Sequence, residues 1–203
     1  HGREPDAERT PEVLVADVTD SAVVLGSSQS PDGVDLEACN GLGLSLVKRR
    51  TGGGSVLVGP NMQCWVDVTI GRTDPHWTDD VGESPMWLGL VWQRALAGLG
   101  VATELHHPPM VTSRLSNLVC FAGRGPGELS IGGSKVMGVS QRRSSGLARF
   151  QCLVPTRWDP GPLVEVLTGL GDDDMAELSA TAAVVDVEAS RLEAVFLDHL
   201  AEV

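Results

Sequence analysis

The sequence predicts an α+β fold with mixed or antiparallel sheets and packed helices. Segments typical of strands fill the first three quarters of the chain, and helical segments follow them. The connections between strands are mostly hairpin-like, which favours a layered α+β domain over a doubly wound one. The 203 residues are enough for one sizeable domain. We expect this domain to span residues 12–203, with residues 1–11 as a disordered edge or an expression remnant.

Apolar alternation, or short apolar runs bounded by turn residues, predicts the strands. They are residues 12–18, 22–25, 44–48, 56–58, 64–70, 101–105, 127–131, 135–141 and 148–154.

Capping residues and apolar residues at helical spacing predict the helices. The longest begins at Ser84-Pro85, with Ser84 as N-cap, and ends at Gly98 to Gly100, with an apolar stripe along one face. The other predicted helices are residues 35–40, 160–167, 172–177 and 187–203.

A hairpin in the second half of the chain is the centre of the predicted site. Gly132-Gly133 between two strands indicates a two-residue turn, because both central positions need positive φ. On the second strand Lys135 should share a face with Met137 and Val139, which is unusual for a lysine unless that face lines a pocket. Cys120 opens the loop before this hairpin, and a thiol beside an ammonium suits acyl transfer.

Composition excludes several classes of function. The net charge of −12 argues against non-specific nucleic-acid binding. No apolar run reaches the ~18 residues that a membrane helix requires, so we expect a soluble, cytoplasmic protein. Residues 114–157 nevertheless carry seven basic side chains and one acid, Glu128. They are either ordinary solvated side chains or a basic rim around the site for an acidic or phosphate-bearing partner.

The four cysteines, at positions 39, 64, 120 and 152, lack the short spacings of zinc sites and disulfide frameworks, so reduced thiols are expected. The adjacent pair His106-His107 points in two directions without a nearby third ligand, and no metal site is predicted. Cys39, Cys64 and Cys152 are expected in the core, although Cys152 is a rival nucleophile.

Gly52-Gly53-Gly54 separates two strands and frees backbone amides to cradle a ligand. No Gly-Lys-Ser/Thr follows, so this is not a Walker loop, and no helix opens from it as in a dinucleotide fingerprint. On the triplet alone, a plain glycine hairpin is the better interpretation.

Three segments resemble motifs of the lipoate–protein ligase and octanoyltransferase family. Residues 49–56 (RRTGGGSV) resemble its RR-x-GGG-x-V motif, and residues 132–142 (GGSKVMGVSQR) resemble G-x-K-x-x-G-x-A/S-Q-R. Residues 25–29 (LGSSQ) resemble its early L-G-x-x-Q. The resemblance extends over about residues 12–200 and implies the catalytic domain shared by biotin and lipoyl ligases, a mixed sheet with helices on one side.

The branches of this family differ in chemistry. Ligases form a lipoyl adenylate with ATP and magnesium, whereas transferases carry octanoyl or lipoyl as a cysteine thioester and need no cofactor. Cys120-Phe121, 15 residues before Lys135, resembles the Cys-Phe placement of one transferase branch. The resemblance implies that Cys120 is the nucleophile and that Lys135 favours its thiolate and holds the acyl carbonyl. The implied acyl-site residues are Arg50, Gly52, Gly53, Gly54, Ser55, Val56 and Gly138.

The sequence also departs from the family pattern. Val58-Gly59-Pro60 replaces the usual His or His-Asp after the glycine-rich strand, which weighs against a ligase-like nucleotide site. The family's N-terminal helix is either missing or outside this sequence, and no accessory domain follows the catalytic unit within it. We take these features to favour the transferase branch.

Three functions stay open at this stage. The first is an octanoyl or lipoyl transferase, with acyl carrier protein or the glycine-cleavage H protein as donor and lipoyl domains as acceptor. The second is an ATP-dependent lipoate ligase in which Cys120 is incidental. The third is a catalytically silent homologue that binds acyl groups or lipoyl domains.

Overall fold

The structure, a computed structural model, describes residues 11–144 and 146–203, so nearly all of the segment 1–11 lies outside the described residues. Its strands are β1 (Glu12–Val15), β2 (Ala22–Leu25), β3 (Ser45–Lys48), β4 (Val56–Val58), β5 (Gln63–Gly71), β6 (Glu104–Leu105), β7 (Leu129–Ile131), β8 (Ser134–Ser144) and β9 (Leu147–Pro155). Its α-helices are α1 (Leu36–Gly41), α2 (Met86–Gly98), α3 (Gly161–Val166), α4 (Met175–Ser179) and α5 (Ala189–Leu200).

The strands form two sheets. The larger sheet is antiparallel, with the order β1-β5-β9-β8-β7-β6. The smaller sheet has the order β3-β2-β4, with β2 parallel to β3 and antiparallel to β4. The predicted α+β class with mixed and antiparallel sheets is therefore confirmed. The Gly132-Gly133 turn is also confirmed, with φ of 57° and 88°.

Side-chain alternation along β5 and β9 divides the interior into layers. One face of the pair, from Cys64 to Val154, packs on α2 and α5, where Trp92 stacks on Phe196 with ring centroids 4.2 Å apart. The other face packs through Trp65 and Leu153 on the smaller sheet. α1, α3 and α4 cover the far side of that sheet. Helices therefore flank both outer sides of a two-sheet centre, rather than one side as the resemblance implied.

The predicted alternation on β8 is wrong at its start. The pairing of β7 with β8 shifts register between Lys135 and Met137, which leaves Val136 as an extra residue in a β-bulge. Met137 and Val139 contact the α2 and α5 core. Lys135 instead shares the side of Gly138, where an added Cβ would lie 3.6 Å from Lys135 Cδ. The bulge turns the lysine toward the space between the layers.

Two other boundaries differ from the prediction. Pro85, not Ser84, occupies the N-cap of α2, because the Ser84 hydroxyl contacts the Arg143 guanidinium at 2.6 Å instead of capping the helix. The predicted strand 101–105 shortens to its last two residues. Among the described residues, no helix has the length and apolar character needed to cross a membrane.

Candidate functional site

Ser55 joins the glycine-rich loop to the turn that carries Cys120. Its backbone N–H donates to the Leu118 carbonyl over 2.8 Å, and its carbonyl accepts from Cys120 N–H over 2.9 Å. Its hydroxyl donates to the same Leu118 carbonyl over 2.6 Å. Cys120 then begins a 3-10 turn, Cys120–Ala122. The two segments therefore meet as a short parallel bridge that fixes the thiol above the loop.

Two glycines permit this close approach. A Cβ on Gly54 would lie 2.7–2.8 Å from backbone atoms of Val119 and Cys120, which no side chain tolerates. Gly53 has φ of 95°, and a Cβ there would meet Arg49 Nη2 at 2.9 Å and Cys120 Sγ at 3.6 Å. The glycine-rich loop is thus built around the guanidinium and the thiol.

Arg49 lies directly beneath the loop. The side chain is 8 % exposed, and Nη2 donates to the carbonyls of Gly52 (2.7 Å) and Gly54 (3.0 Å). The same nitrogen lies 3.8 Å from Cys120 Sγ. Arg49 Nε is buried and has no hydrogen-bond partner among the described residues. A buried cation is therefore in contact with the thiol.

Lys135 forms a buried ion pair with Glu128. Their side chains are 3 % and 5 % exposed, and Nζ lies 2.7 Å from Glu128 Oε2. Nζ also donates to the backbone carbonyl of Cys120 over 2.8 Å and lies 5.4 Å from the Phe121 ring centroid. Glu128 in turn accepts the N–H groups of Gly125 (2.6 Å) and Val139 (3.2 Å). The lysine therefore contacts the carbonyl of the cysteine residue and is held by a fully bonded carboxylate.

A cavity of about 940 Å³ opens in front of these groups. Gly52, Gly53 and Gly54 line it, together with Cys120 and Lys135. Apolar side chains form much of the remaining wall, among them Leu25, Leu118, Pro109, Met110 and Val139. A mainly apolar cavity with a few convergent polar groups is typical of a small-molecule site.

Five of the nine residues predicted for the site thus lie on this cavity. The other four are Arg50, Ser55, Val56 and Gly138. Val56 and Gly138 border a void of about 20 Å³ behind Cys120, and Ser55 is buried. Arg50 is exposed and lines a separate cavity of about 420 Å³ on the other side of the loop.

Arg49 and Glu128 were not predicted for the site. Arg49 and Arg50 are neighbours whose side chains point in different directions, and nothing in the sequence tells which one turns inward. Glu128 could have been singled out from the sequence, because it is the one acid within the basic segment 114–157. Its pairing with Lys135 could not, because it depends on the β8 bulge, which a regular alternation pattern does not predict.

Most of the basic segment serves internal contacts. Arg114 pairs with Asp174 and with a neighbouring carboxylate on α4, and this guanidinium holds the pKa of Asp174 below its ordinary value. Arg143 donates to oxygens of the 78–84 loop, and Arg149 pairs with Asp67. Of the seven basic residues, all described in the structure, Arg124 and Lys135 line the cavity. Of the two alternatives for this segment, the basic rim is therefore reduced to Arg124 on the cavity wall.

The other three cysteines are core residues, as predicted. Cys39, Cys64 and Cys152 are 2 %, 3 % and 0 % exposed, whereas Cys120 is half-buried at the cavity wall. Burial raises the pKa of the Cys64 thiol to about 12 and also raises the pKa of Cys39 and of Cys152. Because the thiolate is the reactive form, these three thiols are both inaccessible and protonated.

We therefore expect iodoacetamide to modify Cys120 alone in the folded protein at about pH 8, well below the thiol pKa values that burial has raised. Intact mass should show a single carbamidomethyl group in the wild type and none in Cys120→Ala. In denaturant all four thiols should react. A second adduct on the folded protein would contradict the burial of the other three thiols.

Within residues 11–144 and 146–203, no group of three or more His, Cys, Asp and Glu side chains is arranged to hold a metal ion.

Comparison with known proteins identifies the family. The chain matches the family described as lipoyl protein ligase A/B catalytic domain over residues 3–199. No match was found among curated proteins.

Solved structures of low sequence identity share the fold. One is lipoate-protein ligase A bound with ATP, at TM-score 0.76 and 19 % identity, covering 97 % of this chain and 73 % of that one. Another is the bi-partite lipoate protein ligase of Thermoplasma acidophilum, at TM-score 0.71 and 20 % identity, covering 96 % and 71 %. With nearly its whole length matched by the family and the same fold in these structures, the chain belongs to the lipoyl protein ligase A/B catalytic-domain family.

Proposed function

We propose that the protein is an acyltransferase that moves an octanoyl or lipoyl group from a carrier protein to the lysine of a lipoyl domain through a thioester on Cys120. The observation that carries this proposal is the position of the thiol. Cys120 is the least buried of the four cysteines, it lines the apolar cavity, and a guanidinium lies 3.8 Å from its sulfur. A thiol in such an electropositive, accessible environment is typical of a nucleophile.

In the first step the Cys120 thiolate attacks the carbonyl carbon of the donor's acyl group, which is a thioester on acyl carrier protein and a lysine amide on the H protein. A carbon–sulfur bond to Cys120 forms and the bond to the carrier's thiol, or to its lysine amine, breaks. The departing thiolate or amine takes a proton in place of the one Cys120 released. Lys135 Nζ, next to the Cys120 backbone, donates to the acyl oxygen as negative charge develops there. Its contacts with Glu128 and the Cys120 carbonyl keep Nζ in place for this role.

In the second step the neutral amine of the acceptor lysine attacks the Cys120 thioester. A carbon–nitrogen bond forms, the carbon–sulfur bond to Cys120 breaks, and the extra amine proton passes to the sulfur or to solvent. Two thiol-dependent steps replace one direct transfer between proteins. The saturated chain would lie along the apolar cavity wall, among residues such as Leu25, Leu118 and Val139.

Charge in the cavity favours a thioester donor over a nucleotide. Among the described lining residues the cations are Arg124 and Lys135, and Glu128 offsets the second of them. With its magnesium ion, ATP would bring about two negative charges into this cavity, against one uncompensated cation among the described lining residues. A carrier arm with a single phosphodiester suits one arginine better.

ATP-dependent lipoate ligation is the second candidate. The cavity of about 940 Å³ is larger than an eight-carbon acyl chain fills, and a similar structure is a lipoate-protein ligase bound with ATP. In this case ATP and magnesium would be required and Cys120 would be dispensable.

The acceptor assignment rests on the family and on one similar structure. The Thermoplasma acidophilum lipoylation system pairs its bi-partite ligase with an E2 lipoyl domain. For this chain we therefore propose lipoyl domains as acceptors, and acyl carrier protein or the glycine-cleavage H protein as donor.

The test is intact-mass spectrometry after incubation with octanoyl-acyl carrier protein and, separately, with an octanoylated H protein. Wild type should gain one octanoyl group that hydroxylamine removes, and Cys120→Ala should gain none. Cys39→Ala, which removes a buried thiol on α1, is the matched control and should gain the group. Neither reaction should require ATP.

Two outcomes would contradict the transferase proposal and favour another function. Lipoyl transfer that needs ATP and survives Cys120→Ala would establish the ligase. Binding of a lipoyl domain without an adduct, with or without ATP, would indicate a homologue that only binds.

A further inference from the structure

We propose that Arg49, rather than Lys135, is the cation that activates the Cys120 thiol. The inference rests on the proposed function in assigning Cys120 as nucleophile, and it gives a role to Arg49, the first arginine of the 49–56 motif, for which the resemblance implied none. The family resemblance implies this role for Lys135.

The donors of the two cations point to different atoms of Cys120. Arg49 Nη2 is 3.8 Å from Cys120 Sγ. Lys135 Nζ donates instead to the backbone carbonyl of Cys120. A cation stabilises a thiolate most when the charge faces the sulfur itself.

The two cations also differ in the net charge that they present to the thiol. Glu128 lies 2.7 Å from Lys135 Nζ, so at the distance of the thiol the pair acts as a dipole rather than as a positive charge. Arg49 is bonded to the carbonyls of Gly52 and Gly54, which are neutral and leave its full charge beside the sulfur.

The local backbone leaves room for the contact between Arg49 and Cys120. Gly53 lies beside both groups with a positive φ, and a Cβ there would crowd Arg49 Nη2 at 2.9 Å and reach van der Waals contact with Cys120 Sγ at 3.6 Å. Arg49 is therefore held against the thiol by the loop that it supports, and its guanidinium moves little when charge develops on sulfur.

The test measures the rate of iodoacetamide modification at pH 7, which follows the thiolate population of Cys120. Arg49→Gln should slow the reaction about tenfold by removing the positive charge beside the sulfur. Arg49→Lys also removes the guanidinium but keeps a positive charge, so it should recover most of the rate. The double variant Lys135→Met/Glu128→Gln removes the ion pair as a unit and should stay within about threefold of wild type.

A second measurement uses the wild-type protein and therefore does not depend on whether a variant folds: it compares alkylation by iodoacetate, which is negatively charged, with alkylation by neutral iodoacetamide. A net positive charge at the thiol should raise the ratio of iodoacetate to iodoacetamide rates above that of a small free thiol. In the double variant this ratio should persist. The proposal is overturned if Arg49→Gln reacts like wild type, or if the double variant loses the rate or the raised ratio.

These rates are independent of acyl transfer. If the alkylation rate of Cys120 depends on Arg49 but the protein accepts no acyl group, the proposed function is wrong and the role of Arg49 is supported. If Cys120 carries an acyl adduct but its alkylation rate does not depend on Arg49, the proposed function is supported and the role of Arg49 is wrong.

Discussion

Lys135→Met is expected to lower the free energy of unfolding by about 3–5 kcal/mol, because it leaves the Glu128 carboxylate buried without its cation. It should also slow acylation of Cys120 by about a hundredfold or more, since the donor aimed at the acyl oxygen is lost. Urea unfolding gives the first quantity, and the rate of appearance of the octanoyl mass gives the second.

The double variant Lys135→Met/Glu128→Gln separates these two effects. Removing both charges from the interior should restore most of the stability, yet acylation should stay slow because no ammonium donates to the carbonyl. If the double variant acylates at the wild-type rate, Lys135 is a structural residue only. If Lys135→Met unfolds no more easily than wild type, the ion pair is not buried as described.

Gly54→Ala should have the second largest effect. The new Cβ would lie 2.7–2.8 Å from backbone atoms of the Val119–Cys120 segment, and backbone cannot rotate aside as a flexible side chain can. The segment must separate from the loop, which breaks the hydrogen bonds of Ser55. We expect a loss of about 2–3 kcal/mol in unfolding free energy and a severe loss of adduct formation.

Gly52→Ala is the matched control in the same loop. Its Cβ would meet nothing within 4 Å, so the change in unfolding free energy should be within about 0.5 kcal/mol. Acylation by octanoyl-acyl carrier protein should continue. Equal damage from both substitutions would mean that the glycine-rich loop does not pack on the cysteine turn as described.

Local patterns were sufficient for much of the fold. Alternation located the inner strands β5 and β9 to within one residue at each end, because their apolar faces pack on α2 and α5. The Gly132-Gly133 turn was predictable since its backbone angles exclude most other residues. The parallel pairing of β2 with β3 was not predictable, because it joins strands separated by α1 and leaves no periodic signature in either one.

Less of the site than of the fold could be predicted from the sequence. Motif resemblance was enough to assign Gly52, Gly53, Gly54 and Cys120 to the site, and these residues line one cavity. The direction of Lys135 depended on a one-residue bulge that reverses the strand face. The choice between Arg49 and Arg50 depended on which of two adjacent guanidinium groups the loop encloses. Both are properties of tertiary packing rather than of local sequence.

The central claim is that the acyl group passes through Cys120, and a single-turnover chase tests it most directly. Octanoylated enzyme is isolated, freed of donor, and mixed with a lipoyl domain in the absence of ATP. We predict that the octanoyl mass leaves Cys120 and appears on the domain's lysine at least as fast as the complete reaction turns over. An octanoyl group that stays on the enzyme, while the domain is modified only when ATP and free acid are added, would contradict the account.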